Sequence, residues 1–256
     1  MLQDIHVHLQ DIQDRRLSAA IIARAEEQGV GRLVCNATSP ADWDAVGGIA
    51  MACPSVIPFF GVHPWFARSA RVGWDAGLKS HLTAFARSGI GEIGLDYRKS
   101  RADFALQETV FTRQLDIAFE LNRPIQIHCV EAWGRMLELF RERPMKNIPF
   151  MFHLFSGSAE VLTELLAMGA HVSFSLGIAD GGPEKVRRAF QATPLDRLLL
   201  ETDFPYMPGK RYDASVNSDG YFGQLKGVYA IAAAQRGISA DALEKAVWTN
   251  GSAFVR

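Results

Sequence analysis

Residues Asp4 to Leu9 read Asp-Ile-His-Val-His-Leu. Side chains alternate along an extended strand, so His6 and His8 share one face while Ile5, Val7 and Leu9 share the other. Imidazole is the commonest metal ligand, and two of them side by side can grip one ion. Five later stretches carry comparable chemistry: Gly61-Val62-His63-Pro64, Gly91-Glu92-Ile93-Gly94-Leu95-Asp96-Tyr97, Gln126-Ile127-His128, Phe152-His153-Leu154-Phe155-Ser156-Gly157 and Glu201-Thr202-Asp203-Phe204-Pro205. Of the seven histidines, only His81 and His171 lie outside these stretches.

Elements able to gather such distant residues follow from the alternation of short apolar runs with helix-like spacing. The candidate strands are Gln3 to Leu9, Arg32 to Asn36, Val56 to Val62, Gly91 to Leu95, Pro124 to Cys129, Pro149 to Leu154, His171 to Ser175 and Arg197 to Thr202. Between them Arg15 to Gln28, Ala41 to Ala52, Phe104 to Leu121, Ala132 to Arg141, Ala159 to Met168 and Glu184 to Gln191 carry the helical period. Ser39-Pro40 offers an N-cap and a first-turn proline, and Gly29 and Gly169 offer left-handed helix endings. Eight such units predict an α/β fold, a closed (β/α)8 TIM barrel forming a single domain over residues 1–256. Pro205 to Phe222 reads as a long loop after the last strand, with Val228 to Arg236 and Ala240 to Trp248 as closing helices. Active sites in such barrels lie at the C-terminal ends of the strands, where every one of the chemical stretches falls.

The strand ends supply four histidines (His6, His8, His128, His153), one glutamate (Glu92) and one aspartate (Asp203). Nitrogen and oxygen donors of this kind suit divalent ions such as Zn2+ or Mn2+, with Mg2+ a further candidate. Six ligands exceed the needs of one tetrahedral site, and a carboxylate can bridge, so a binuclear centre is expected. Two ions about 3.5–4 Å apart can activate a shared nucleophile and stabilise attacking and leaving oxygens together.

Composition restricts the partners. Lys and Arg number 27 against 28 Asp and Glu, a net charge of -1, so no global basic field holds nucleic acid by counterion release. A polyanion must instead be held by metal ions or by a local patch. Arg98, Lys99 and Arg101 after the fourth strand and Lys210 with Arg211 in the late loop are expected to form one on the active face. Three cysteines without paired spacing favour a reducing compartment. No run approaches a membrane span, and a cytoplasmic location is expected, with no membrane and no obligate protein partner.

The motifs His-x-His, Gly-x-His-Pro, Gly-Glu-Ile-Gly-Leu-Asp-Tyr, Ile-His, His-x-Phe-Ser-Gly and Glu-Thr-Asp-x-Pro together resemble those of the TatD-type deoxyribonucleases, a metal-dependent branch of the amidohydrolase-like barrels. The resemblance runs from His6 to Asn250. It implies that His6, His8 and Asp203 hold one metal, that His128 and His153 hold the other, and that Glu92 contacts both. Many binuclear amidohydrolases use a carboxylated lysine as the bridge; this fourth strand offers Glu92, with Lys99 beyond it. Asp203 would both ligate metal and act as general acid-base catalyst, and Glu92 is the second residue expected to be catalytic. His63 would contact a substrate phosphate, the alternative being a structural histidine packed against Trp65; Asp96 and Tyr97 would orient Glu92 or line the pocket, or equally support the ligands from behind; and Arg98 would meet substrate. Glu201 reads equally as buried support or as a substrate contact. Trp65, Phe66, Phe204 and Tyr206 could stack a base or wall the pocket, whereas Trp43, Trp133, Trp248 and Cys129 read as packing residues.

The implied activity is metal-dependent hydrolysis of DNA or another phosphodiester, from a 3′ end. The alternative is hydrolysis of a carboxylic ester or amide, such as removal of a D-amino acid from aminoacyl-tRNA. A non-catalytic metal-binding protein is disfavoured because no ligand position is lost. A PHP-type phosphoesterase, which also begins with His-x-His, would need further ligands that cannot be placed. The chain departs from the family at Phe204, whose bulk is expected to narrow the pocket, at Cys129-Val130-Glu131, and at Asn217-Ser218-Asp219.

Overall fold

The computed structural model of the protein describes residues 1–98, 103–145, 147–207, 210–211 and 217–255. Eight parallel strands lie in the order of the sequence: β1 (Leu2–Val7), β2 (Val30–Asn36), β3 (Val56–Phe60), β4 (Gly89–Asp96), β5 (Ile125–Val130), β6 (Phe150–Phe152), β7 (His171–Phe174) and β8 (Leu198–Leu200). Helices α1 (Arg15–Arg24), α2 (Trp43–Ala52), α3 (Trp74–Ala84), α4 (Phe104–Leu121), α5 (Trp133–Glu142), α6 (Ala159–Ala167) and α7 (Glu184–Ala192) make the crossovers. Two longer helices, α8 (Ser218–Arg236) and α9 (Ala240–Val255), follow. This is the expected barrel.

Strands covered by helices outside and by side chains inside are buried on both faces, which explains their nearly unbroken apolar runs. Ile5, Val34, Ile57, Phe59, Met151 and Leu199 fill the barrel interior. Phe254 of α9 joins that cluster, its ring stacked on Phe59 at 5.9 Å between centroids. The outer layer, between strands and helices, holds Leu33, Cys35, Phe60, Ile93 and Leu115, and Cys129 lies in it as expected.

The seam between β1 and β8 is closed by the segments that carry the first and last chemical motifs. Asp203 donates its backbone N–H to the His6 carbonyl (3.1 Å), and His8 donates to the Phe204 carbonyl (2.7 Å). Below them the buried Asp4 carboxylate accepts from the Thr202 N–H (3.0 Å), the Thr202 hydroxyl (2.5 Å) and the Tyr221 hydroxyl (3.0 Å). Burial raises the Asp4 pKa to about 7 against these hydrogen bonds.

Three local expectations are corrected. Helix α2 begins at Trp43, not after Ser39-Pro40, because the Asp42 carboxylate accepts from the Thr38 N–H, the Thr38 hydroxyl and the Ser39 N–H and holds that stretch as a turn. Pro205 to Phe222 is not loop throughout: Tyr206–Met207 pairs with Lys210–Arg211 in a short antiparallel ladder, and α8 already starts at Ser218. The Asn217 side chain accepts from the Gly220 N–H (3.0 Å) and caps that helix. Phe204 is fully buried against Tyr221 of α8, with centroids 5.2 Å apart, so its bulk is spent on packing and does not narrow the pocket. Gly29 and Gly169 do have positive φ, 79° and 93°. No helix among the described residues is long and apolar enough to cross a membrane.

Candidate metal centre at the C-terminal face of the barrel

Five strand ends, those of β1, β4, β5, β6 and β8, deliver His6, His8, Glu92, His128, His153 and Asp203 to one buried cluster. Glu92 sits at its middle and divides it. Its Oε2 lies 3.4 Å from both His6 Nε2 and His8 Nε2, while its Oε1 lies 2.7 Å from both His128 Nδ1 and His153 Nε2. On the Oε2 side, Asp203 Oδ1 is 3.4 Å from His8 Nε2 and 3.7 Å from His6 Nε2. The two groups resemble two half-sites sharing one carboxylate.

Local geometry brings these residues together. Gly94 in β4 has φ 147°, and a Cβ there would fall 1.9 Å from the His128 carbonyl oxygen. Only glycine permits β4 and β5 this close approach, which sets Glu92 beside His128. Asp203 itself has φ 57°, an unfavourable left-handed conformation for a non-glycine residue. Hydrogen bonds on both sides hold it there, from its N–H to His6 and from the Tyr206 N–H to its carbonyl (2.7 Å). Strain of this kind persists only where the surroundings over-determine it, and it concentrates at functional sites.

The tautomers follow from what the remote ring nitrogens touch. His6 Nδ1 lies 2.6 Å from Gln126 Oε1, whose amide nitrogen in turn donates to the Ile5 carbonyl (2.7 Å). His8 Nδ1 lies 2.8 Å from the Asn36 carbonyl, which can only accept. Both rings therefore carry their proton on Nδ1 and point Nε2 lone pairs, 3.0 Å apart, into the cluster. His128 is turned the other way: its Nε2 donates to Asp96 Oδ2 (3.1 Å), leaving the Nδ1 lone pair beside Glu92. His153 Nδ1 is 3.5 Å from Glu201 Oε1, an ion-pair separation too long for a good hydrogen bond. Glu201 accepts instead from the Leu154 N–H (2.9 Å) and the Ser173 hydroxyl (2.5 Å), which makes it a buried support.

Ring nitrogens and carboxylate oxygens converging in this way fit a divalent cation. The electrostatics agree. Burial alone lowers a histidine pKa, yet Asp203 and Glu92 outweigh it and push His8 up to about 10, and carboxylates likewise raise His128 and His153. Burial opposes the Glu92 charge, but His153, His63 and His128 hold its pKa well below the ordinary range. The cluster thus calls for positive charge at its centre. Three sets of side chains bring their ligand atoms close enough to hold an ion: His6, His8 and Asp203; His63, Glu92 and His128; and His6, His153 and Glu201, which spans the two sides.

His63 differs from its neighbours. Its Nδ1 accepts the Trp65 backbone N–H (3.1 Å), which leaves the proton on Nε2, 3.3 Å from Glu92 Oε1. Burial lowers its pKa to about 4, so it is neutral and presents a donor to the cluster, not a lone pair.

Asp96 is a buried hub. Its carboxylate accepts from His128, from the Trp65 indole N–H (2.8 Å) and from the Arg98 guanidinium (2.9 Å), while Gln107 of α4 clamps its backbone N–H and carbonyl at 2.9 and 3.0 Å. Burial opposes its charge, but the His128 and Arg98 bonds prevail and keep its pKa far below that of an ordinary aspartate. Arg98 stands half-exposed at the mouth of the site. Tyr97, expected to line the pocket, is not brought there: its hydroxyl donates to Glu108 (2.6 Å) and its ring stacks on Phe104 at 3.7 Å. Strand alternation puts it on the face opposite Glu92 and Asp96. Lys99 and Arg101, and the side chains of Lys210 and Arg211, lie outside the described residues.

Gln126, Asn36 and Gln107 were not singled out by the sequence. Gln126 had a usable signal, since it stands two residues before His128 and shares its strand face.

Residues 3–256 match the model of the TatD related DNase family. The chain is 29% identical over 224 residues to the metal-dependent hydrolase YabD of Bacillus subtilis, covering 86% of this chain and 87% of that one. It is 32% identical over 211 residues to the 3'-5' ssDNA/RNA exonuclease TatD of Pantoea vagans, covering 80% and 79%. Among solved structures, the TatD homologue YJJV of Escherichia coli superposes with a TM-score of 0.87 at 24% identity over 97% of this chain and 95% of that one. A TatD family hydrolase from Entamoeba histolytica gives 0.84 at 18% identity over 99% and 97%. With its barrel, its cluster of side chains suited to hold metal and this similarity over nearly its whole length, the chain belongs to the TatD related DNase family and is a metal-dependent hydrolase.

Proposed function

We propose that the protein removes nucleotides from the 3′ end of single-stranded DNA or RNA with two divalent ions, which His6, His8 and Asp203 on one side and His128 and His153 on the other would hold together with Glu92. The observation that carries this reading is the division of the cluster by that carboxylate, with His6, His8 and Asp203 around Oε2 and His128 and His153 around Oε1. The substrate class follows the Pantoea vagans relative, a 3'-5' ssDNA/RNA exonuclease.

The chemistry supplied by divalent ions bound there is Lewis-acid stabilisation of phosphoryl oxygens and a lowered pKa for the attacking water. Asp203 takes the proton of that water and passes it to the departing sugar oxygen, as a carboxylate within reach of both can. His63, neutral and with its proton on Nε2, donates to a non-bridging phosphate oxygen. Arg98, pinned by Asp96, adds a fixed cation at the mouth, where a guanidinium matches a phosphate in shape and charge. Glu92 keeps the two ligand groups in register.

The test is a substrate panel with metal-loaded protein: 5′-labelled single-stranded DNA, the same strand in a duplex, RNA and D-aminoacyl-tRNA. Stepwise shortening of the labelled single strands, abolished by chelator and by Glu92→Ala, is the expected result. Faster turnover of D-aminoacyl-tRNA than of any nucleic acid, or full activity of Glu92→Ala, would overturn the reading.

A further inference from the structure

Trp65 and Phe66 stand beside the site and are each 44% exposed; no other tryptophan or phenylalanine among the described residues is as open. They follow His63-Pro64, in the 3-10 turn Pro64–Ser69. Trp65 is nonetheless held firmly. Its indole N–H donates to Asp96 Oδ2 (2.8 Å), its backbone N–H donates to His63 Nδ1 (3.1 Å), and its ring meets His63 edge-on at 5.0 Å and His128 at 6.3 Å. A large ring that is half in solvent yet fixed at both ends loses little entropy when a ligand settles on it. The same Asp96 oxygen holds the His128 ring and the Arg98 guanidinium, so ring, cation and ligand cluster share one anchor.

Resting on the nuclease reading above, we infer that Trp65, with Phe66 beside it, is a stacking platform for a nucleobase of the strand whose phosphate lies at the ligand cluster. Every base presents a π-face, so the platform is indifferent to sequence, but it requires a base free of its duplex partner. It supplies a preference for single strands that the chain's net charge does not.

Two 5′-labelled single strands test this, one ending in ordinary nucleotides and one whose last two residues are abasic tetrahydrofuran units. The wild-type KM is expected to be about 5- to 150-fold lower for the ordinary strand, the range that stacking one base supplies. Trp65→Ala is expected to erase the difference in KM, with any fall in kcat shared by both strands because the indole N–H also bonds Asp96, and Trp65→Phe, which lacks that N–H as well but keeps an aromatic face, to retain most of the difference. An undiminished preference in Trp65→Ala overturns the platform. Binding to Glu92→Gln protein, read as quenching of indole fluorescence, separates the two claims. Quenching by the ordinary strand alone, lost in Trp65→Phe, supports the platform whether or not hydrolysis occurs; equal quenching by both strands overturns it. Failure of wild-type protein to shorten either strand counts against the nuclease reading.

Discussion

A carboxylate has two equivalent oxygens, and Glu92 turns one toward each half of the cluster. His6, His8 and His128 each depend on a further residue for their tautomer, and Gln126 performs that duty for His6 across the barrel interior. Replacing Gln126 by leucine removes the acceptor that keeps the proton on Nδ1. Metal affinity is expected to fall roughly 10- to 100-fold, as for other such supports, with the far-ultraviolet circular dichroism unchanged; isothermal titration with Zn2+ measures it. The residue types of the ligand cluster were plain in the sequence because chemistry restricts them to histidine and carboxylate at strand ends. Their supports were not, since glutamine and a backbone carbonyl act here through single hydrogen bonds that exist only once strands far apart in sequence are neighbours. Tyr97 follows a different rule: adjacent strand residues point to opposite faces, so the position that puts Asp96 in the site turns Tyr97 toward Glu108 and Phe104.

At the scale of elements, the strands and most crossovers were legible from periodicity, while the region after β8 was not. Ser218, Asp219 and Gly220 have loop-like composition but occupy the first turn of α8, where capping chemistry favours just such residues. Tyr221, Phe222, Leu225, Val228 and Tyr229 behind them are buried at helical spacing. This helix carries the Tyr221 hydroxyl that meets Asp4 beneath Asp203, so it buttresses the site from below. Asn217→Ala removes the cap and is expected to cost about 1 kcal/mol. In a chain of this length that amounts to a fall in Tm of roughly 2–4 °C, read by differential scanning calorimetry. Tyr221→Phe leaves Asp4 one donor short and is expected to cost about 1–3 kcal/mol, the penalty for unsatisfying a buried acceptor.

Across the whole molecule the two ends of the barrel have separate duties. The C-terminal face carries the ligands, and the opposite end is stoppered by α9, with Phe254 inside the barrel and Gln3, Arg32 and Ser252 hydrogen-bonded around it. Phe254→Ala empties a filled interior and is expected to cost about 3–5 kcal/mol in urea unfolding, with metal stoichiometry preserved in the protein that remains folded. His171, buried at the start of β7, has no hydrogen-bond partner for its Nδ1 among the described residues, and burial together with nearby Arg197 lowers its pKa to about 4 from 6.5. A folded pKa below the unfolded one means that the unfolded chain takes up the proton first. The contribution of neutral His171 is therefore complete above pH 6.5 and is lost as pH falls through 6.5 toward 4, by up to about 3 kcal/mol at 1.36 kcal/mol per unit. His171→Phe should flatten that limb of a stability–pH profile.

The division of one cluster by Glu92 is most directly tested by metal titration of apo-protein with activity on single-stranded DNA followed at each addition. Two equivalents of divalent ion per chain are predicted, with activity rising mainly over the second, and Glu92→Gln should hold fewer ions and lose activity, as a bridged pair requires. Full activity at one equivalent, or a Glu92→Gln protein that keeps both ions and its rate, would contradict the account.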